Sequence, residues 1–180
     1  MGHNIVFLVD SSSSMKEKVK DETHLQKTIQ AIKEVLTNPD TARSEDFLSV
    51  IFFWIDVLNR FKTETIYDNV QLSTGASSEK LVEFEPPDHA GTGLEQGLDF
   101  AVKFLAKKKG EKTIKLVTDN SINAQKAREK NIYEFYEKGI RLDCIIIGEK
   151  RKKSATLGAG SLGQVFEVSD VDAILNALLS

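Results

Sequence analysis

The run Asn4-Ile5-Val6-Phe7-Leu8-Val9-Asp10, followed at once by Ser11-Ser12-Ser13-Ser14, sets the reading of the whole chain. Its five consecutive apolar side chains are too few for a helix of usual length and show no polar alternation. They read as a strand buried on both faces. A strand of that kind belongs to a parallel sheet with helices packed over both sides. It ends on a carboxylate, and the serines after it are turn-forming residues.

Outward from that strand, Leu25, Ile29, Ile32 and Leu36 recur at spacings of four, three and four. This is one apolar face of a helix, ending near Asn38-Pro39. Residues 47–56 (FLSVIFFWID) are rich in aromatic and β-branched side chains and read as a second strand. Residues 57–61 either continue it or turn back as an edge strand. The stretch 62–89 is the least patterned part: 77–84 suggests a short helix, and Pro86-Pro87 stops whatever precedes them. From Gly93 the helical period returns, with Leu94, Leu98, Ala101, Val102 and Leu105 on one face and Gly110 as its terminator. Residues 114–119 form another buried strand, 124–138 a helix, 141–148 a strand, 164–168 a short strand and 171–179 a final amphipathic helix. This alternation predicts an α/β fold: an open, mainly parallel, six-stranded twisted sheet with helices on both faces and one antiparallel edge strand. No repeat or low-complexity linker interrupts residues 1–180, which read as one domain.

With 41% hydrophobic and 28% charged residues, the 180-residue chain has the composition of a globular protein able to bury a core. Its net charge of −3 argues against nucleic-acid binding through broad positive charge. The basic runs Lys107-Lys108-Lys109 and 150–153 fall between periodic segments and read as solvated loop charge. The single cysteine, Cys144, leaves no internal disulfide, and within the apolar run 142–147 it reads as a small buried side chain. Met1-Gly2-His3 leads directly into the first strand, so no signal peptide is expected. No apolar stretch reaches the roughly 18 residues of a membrane span. The cytoplasm is the expected compartment.

Two strands end in aspartate as they leave the sheet, at Asp10 and Asp119. In open α/β sheets ligands bind at the carboxyl ends of strands, where the strand order reverses. Two carboxylates meeting there make a negative spot that a cation resolves. Ser12 and Ser14 can offer hydroxyls from the turn above Asp10. Thr92 can offer a third from the loop Ala90-Gly91-Thr92-Gly93, whose glycines permit close approach. Hydroxyl, carboxylate and water are the hard oxygen ligands of Mg2+ or Mn2+. The plainer reading is capping, by the serines of the first helix and by Thr92 of the helix near Gly93. Asp88 and His89 read as surface loop residues beside them.

Asp10-x-Ser12-x-Ser14 after the first strand, Thr92 before a later helix and Asp119 at the end of the fourth parallel strand resemble the five-residue metal-ion-dependent adhesion site of von Willebrand factor A (vWA) domains. The segments VFLVDSSSSM, HAGTGLEQGLDFAVKFL, IKLVTDN, GIRLDCIIIG and GQVFEVSDVDAILNAL follow in the order that family presents them. The resemblance implies a Rossmann-like vWA fold and a non-enzymatic, metal-dependent protein-binding module. It implies that Ser12, Ser14 and, in the ligand-ready state, Thr92 contact the Mg2+ or Mn2+ ion directly. Asp10 and Asp119 would act largely through water and through hydrogen bonds to the serines. The ion would then accept an aspartate or glutamate from a partner protein. Two positions depart from the family pattern without removing a ligand: Ala90, where a glycine often precedes the threonine, and Asn120, where glycine is frequent.

Two other functional readings compete. A metal-independent vWA scaffold in an intracellular multi-subunit assembly needs no ion. A Mg2+-dependent phosphotransfer enzyme or phosphatase would use Asp10 as phosphoryl acceptor, but the phosphatase pattern asks for a second aspartate where Ser12 stands, and a receiver-type acidic pair is lacking. Residues 158–165 (GAGSLGQV) match a glycine-rich phosphate loop. Too little chain follows for the rest of a kinase, and no clear strand precedes it, so it reads as a turn into the last strand.

Overall fold

A computed structural model describes residues 2–19, 21–38, 45–119, 134–135, 137–148 and 163–180. Strand β1 (His3–Asp10) lies at the middle of a six-stranded sheet. A 3-10 turn at Ser13–Lys16 and a small ribbon of β2 (Lys18–Val19) and β3 (Glu22–Thr23) lead into helix α1 (His24–Thr37). The chain continues through β4 (Asp46–Ile55), β5 (Phe61–Gln71), the short helix α2 (Glu79–Val82) and α3 (Leu94–Ala106). It closes with β6 (Glu111–Thr118), β7 (Ile140–Ile147), β8 (Val165–Val168) and α4 (Val171–Leu179).

The strand order is β5-β4-β1-β6-β7-β8, with every pairing parallel except β4 with β5. The sheet grows from β1 to β4 on one side and to β6 on the other. The carboxyl end of β1 is therefore the point where the strand order reverses, and Asp10 stands on it.

Successive side chains of β1 divide between two cores, as the alternation of a strand requires. Ile5, Phe7 and Val9 pack into the layer formed with α1 and α4, while Val6 and Leu8 pack into the layer formed with α3. Helix α1 is fastened at its start by a capping box in which Thr23 and Gln26 satisfy each other's backbone N–H groups. Helix α4 begins on Asp170, which accepts from the N–H of Ala173 at 2.9 Å. At its other end, the buried Lys115 ammonium donates to the C=O of Ala177 at 3.0 Å and lies 3.3 Å from Asp143. Burial pulls the Lys115 pKa down, and Asp143 opposes that shift. Cys144 is buried, as expected from its apolar surroundings.

Three local expectations need correction. Residues 57–61 do turn back into an antiparallel edge strand, but only Phe61 belongs to it: Val57 to Asn59 form the turn, and the strand runs Phe61–Gln71. Gly110 does not end α3, which stops at Ala106. It immediately precedes β6 at φ 98°, where a Cβ would sit 2.2 Å from the carbonyl oxygen of Gly2. The helix over 77–84 shrinks to the four residues Glu79–Val82. Most of the helix read over 124–138 lies outside the described residues, although Glu134, Phe135 and Glu137 are helical. The glycine-rich run 158–165 and the basic run 150–153 fall largely or wholly outside them too, as does Asn120. Among the described residues no helix is long and apolar enough to cross a membrane.

Candidate functional site

Asp10 is fully buried, and both of its carboxylate oxygens are taken. Oδ1 accepts from the N–H of Ser12 at 2.9 Å, which bends the chain out of β1 and into the serine turn. Oδ2 accepts from two hydroxyls on separate elements, Thr118 at 2.7 Å and Thr92 at 3.0 Å. One side chain thus ties together the ends of β1 and β6 and the loop before α3. Burial pushes the Asp10 carboxyl above its ordinary range, and the hydrogen bonds from Ser12, Thr118 and Thr92 offset only part of that. Each of these hydrogen-bond donors to the carboxylate is neutral.

Above Asp10 the remaining site oxygens form a chain. Ser12 Oγ and Ser14 Oγ lie 3.2 Å apart, and Ser14 Oγ donates to Asp119 Oδ1 at 2.9 Å. Two backbone bonds fix the serine turn against its neighbours: Ser11 N–H donates to Phe53 C=O at 2.9 Å and Ser13 N–H to Ala90 C=O at 2.8 Å. The threonine loop is held from the other side. Ile55 and Gly91 exchange N–H and C=O bonds, each 2.9 Å long. At Gly93 a Cβ would approach Ile55 Cδ1 to 2.8 Å, which accounts for the glycine.

The structure therefore brings Asp10, Ser12, Ser14, Thr92 and Asp119 to one place. Helix capping does not explain them. The first helix is capped by Thr23, the 3-10 turn has no side-chain cap at Ser12, and α3 begins on Gly93 while the Thr92 hydroxyl turns to Asp10. Thr92 reaches the serines only through Asp10 in this arrangement. Asp88 is a solvated residue paired with Lys16 at 3.0 Å, and His89 lies in the exposed loop.

Thr118 is the contributor that sequence reasoning missed. Its only signal was its position, a hydroxyl residue one place before Asp119 at the end of a buried strand. The clamp of Ile55 on Gly91 was missed as well, since no local pattern announces an isolated bridge.

Among the described residues no group of three or more His, Cys, Asp or Glu side chains is placed to hold a metal ion. The site instead offers two carboxylates and three hydroxyls, all hard oxygen donors of the kind that suits Mg2+ or Mn2+. Neighbouring ligands around an octahedral Mg2+ with bonds of about 2.0–2.1 Å stand roughly 2.9 Å apart. The spacings from Ser12 to Ser14 and from Ser14 to Asp119, 3.2 and 2.9 Å, are compatible with that, so the donor set fits a small cation.

The family model described as von Willebrand factor type A domain matches residues 5–121. A sequence comparison with curated proteins finds no match. Among solved structures, the chain is similar to the conserved hypothetical protein BatB from Bacteroides thetaiotaomicron. Identity is 17% over 99% of this chain and 96% of that one, with a TM-score of 0.65. The SpRpn10 VWA domain superposes with a TM-score of 0.64 at 12% identity, over 99% and 94% of the two chains. Proximal thread matrix protein 1 from the mussel byssus, in a structure with a zinc-occupied MIDAS motif, does so with a TM-score of 0.64 at 19% identity. There the match covers 99% of this chain but 45% of the mussel protein. At these identities the likeness is one of fold.

Two predictions follow from Asp10 and its partners. Thr118→Val removes a buried hydroxyl donor to a carboxylate and should lower unfolding stability by about 2 kcal/mol in urea titrations at neutral pH. Because the folded pKa of Asp10 is raised, the folded state holds this proton more tightly than the unfolded chain. Its contribution to stability therefore falls as pH rises from 3.8 through the raised value, and ionised Asp10 is a net cost at neutral pH. In chelator-treated protein, Asp10→Asn should flatten that part of the stability-pH curve.

Proposed function

The chain belongs to the von Willebrand factor type A domain family, and we propose that it is a protein-binding module whose Asp10, Ser12, Ser14, Thr92 and Asp119 hold one Mg2+ or Mn2+ ion for an acidic side chain of a partner protein. The observation that carries the reading is the continuous set of contacts from Thr92 through Asp10 to Ser12, Ser14 and Asp119. When bound, the cation supplies an electrophilic position that accepts a carboxylate oxygen.

The roles of the chain's own residues follow from chemistry. Ser12 and Ser14 offer neutral hydroxyl oxygens, which leave most of a cation's charge unquenched and so favour an anionic ligand from outside. Asp119 accepts from Ser14 and orients its hydroxyl. Asp10 holds the serine turn through the Ser12 N–H and the threonine loop through Thr92. A nearby cation would also relieve the desolvation that burial imposes on the Asp10 carboxylate. The same burial weighs against Asp10 as a phosphoryl acceptor, since both its oxygens are engaged and shielded. A structural relative whose MIDAS motif is occupied by zinc supports a divalent cation as the ligand class.

Calorimetry and melting curves on chelator-treated protein titrated with Mg2+ or Mn2+ test the proposal. A hundredfold excess over Kd stabilises by about 2.7 kcal/mol, worth roughly 5–10 °C for a domain of this size. Ser12→Ala and Asp119→Ala should lose both the heat and the shift while keeping their circular dichroism. Wild-type affinity in both variants would sink the proposal.

A further inference from the structure

Strand β4 does not stop at the level of the site. It runs past Phe53, in register with Asp10, to Ile55, which is bonded to Gly91, and then turns at residues 56–60 into β5. That turn is tightly fastened. Asp56 N–H donates to Arg60 C=O, and Asn59 N–H donates to Asp56 C=O, both at 2.9 Å. Asp56 Oδ1 accepts from the N–H groups of Leu58 and Arg60 at 2.9 Å each. Asp56 Oδ2 accepts from Nε and Nη2 of Arg60 at 2.8 Å each. Asn59 supplies the left-handed residue, at φ 56°. This is the pattern of a three-residue hairpin loop, a turn closed by a left-handed residue.

At the tip of this rigid loop stand Val57 and Leu58, 74% and 67% exposed, more than any other large hydrophobic among the described residues. Scattered exposed aliphatics are ordinary. Here two are adjacent, on turn positions that readily take polar residues, and the turn's own chemistry is supplied by Asp56 and Asn59. The loop also shares a tether with the site. Val57 lies two residues beyond Ile55, roughly 7 Å along the chain from the bond that holds the Thr92 loop.

We infer that Val57 and Leu58 form an apolar anchor that enters a cleft on the same protein partner whose carboxylate reaches the Ser12–Ser14–Asp119 site. The inference rests on the metal-dependent reading above. β4 ends at Ile55, and Val57 stands four residues past Phe53, at most roughly 13 Å of chain, within the span of an ordinary interface of about 800 Å² per partner. The fastened turn lowers the ordering cost of docking, because the anchor is already held in one conformation. The partner so defined presents an acidic side chain and, within roughly 15 Å of it, an apolar cleft.

The test uses a phage library of small folded three-helix domains with randomised faces, selected on the wild-type protein in Mg2+. Selected binders are then measured against a Val57→Ser/Leu58→Ser double variant and against Asp119→Ala. The double variant should weaken them at least tenfold while its Mg2+ affinity by calorimetry stays at the wild-type value. Asp119→Ala and chelator should abolish binding. If no enriched binder loses affinity in the double variant, the anchor is refuted while the metal reading stands. Binding that needs Val57 and Leu58 but survives Asp119→Ala and chelator refutes the metal reading and the joint surface with it. Cosedimentation of the wild type, but not the double variant, with phosphatidylglycerol–phosphatidylcholine vesicles in the absence of such binders would overturn the inference in favour of a membrane.

Discussion

A buried carboxylate at the end of the central strand organises this end of the molecule. Asp10 takes one N–H and two hydroxyls from three separate segments, and the loops above the sheet are arranged around those bonds. The serine turn leaves β1 at the angle the Ser12 bond sets. The threonine loop sits where Asp10 and Ile55 hold it from two sides, and β6 delivers Asp119 one residue after its own bond to Asp10 through Thr118. An ionised group in that position is costly without a compensating charge. On the proposed metal-binding reading, that charge is kept for a cation that is not part of the chain, and the site is its socket.

The rest of the fold supplies rigidity to that socket. β1 is buried along nearly its whole length, between β4 and β6 within the sheet and between two helical layers across it. The last helix is fastened to the middle of β6, with its final turn bonded to Lys115 and Lys115 held near Asp143. A lysine is tolerated so deep because its ammonium meets both a carboxylate and a helix-terminal carbonyl, the end of a helix that favours a cation.

Much of this was legible in the sequence because burial on both faces writes a strong signal. The runs around Phe7, Leu116 and Ile145 contain little but apolar residues, and the periodicity of α1, α3 and α4 is explicit. That Asp10, Ser12, Ser14, Thr92 and Asp119 meet at one end of the sheet was legible as well, since they fall at or beside element boundaries. That the sheet has one antiparallel edge strand was legible too, but its position was not. Phe61–Gln71 is covered on one side only, carries Lys62, Glu64 and Asp68, and is interrupted by a register shift and by Asn69 at φ 59°. Charges and irregularities of that kind protect an edge from unwanted pairing and also erase its pattern. Val57 and Leu58 compounded the error, because aliphatic residues at the tip of a turn mimic the continuation of a strand. Thr118 went unnoticed for the opposite reason: threonine is so ordinary in strands that its hydroxyl carries no signal until its partner is seen.

The most direct test of the account is to locate a bound ion by its magnetic effect. Substoichiometric Mn2+ added to isotopically labelled protein broadens the amide resonances nearest to it. The account predicts that the signals of Ser12, Ser13, Ser14, Gly91, Thr92, Gly93 and Asp119 fade first, while those of Asn4 and Thr113, at the opposite end of the same strands, persist. Broadening centred elsewhere, for instance on the acidic edge at Glu64 and Asp68, or spread evenly over the molecule, would contradict it.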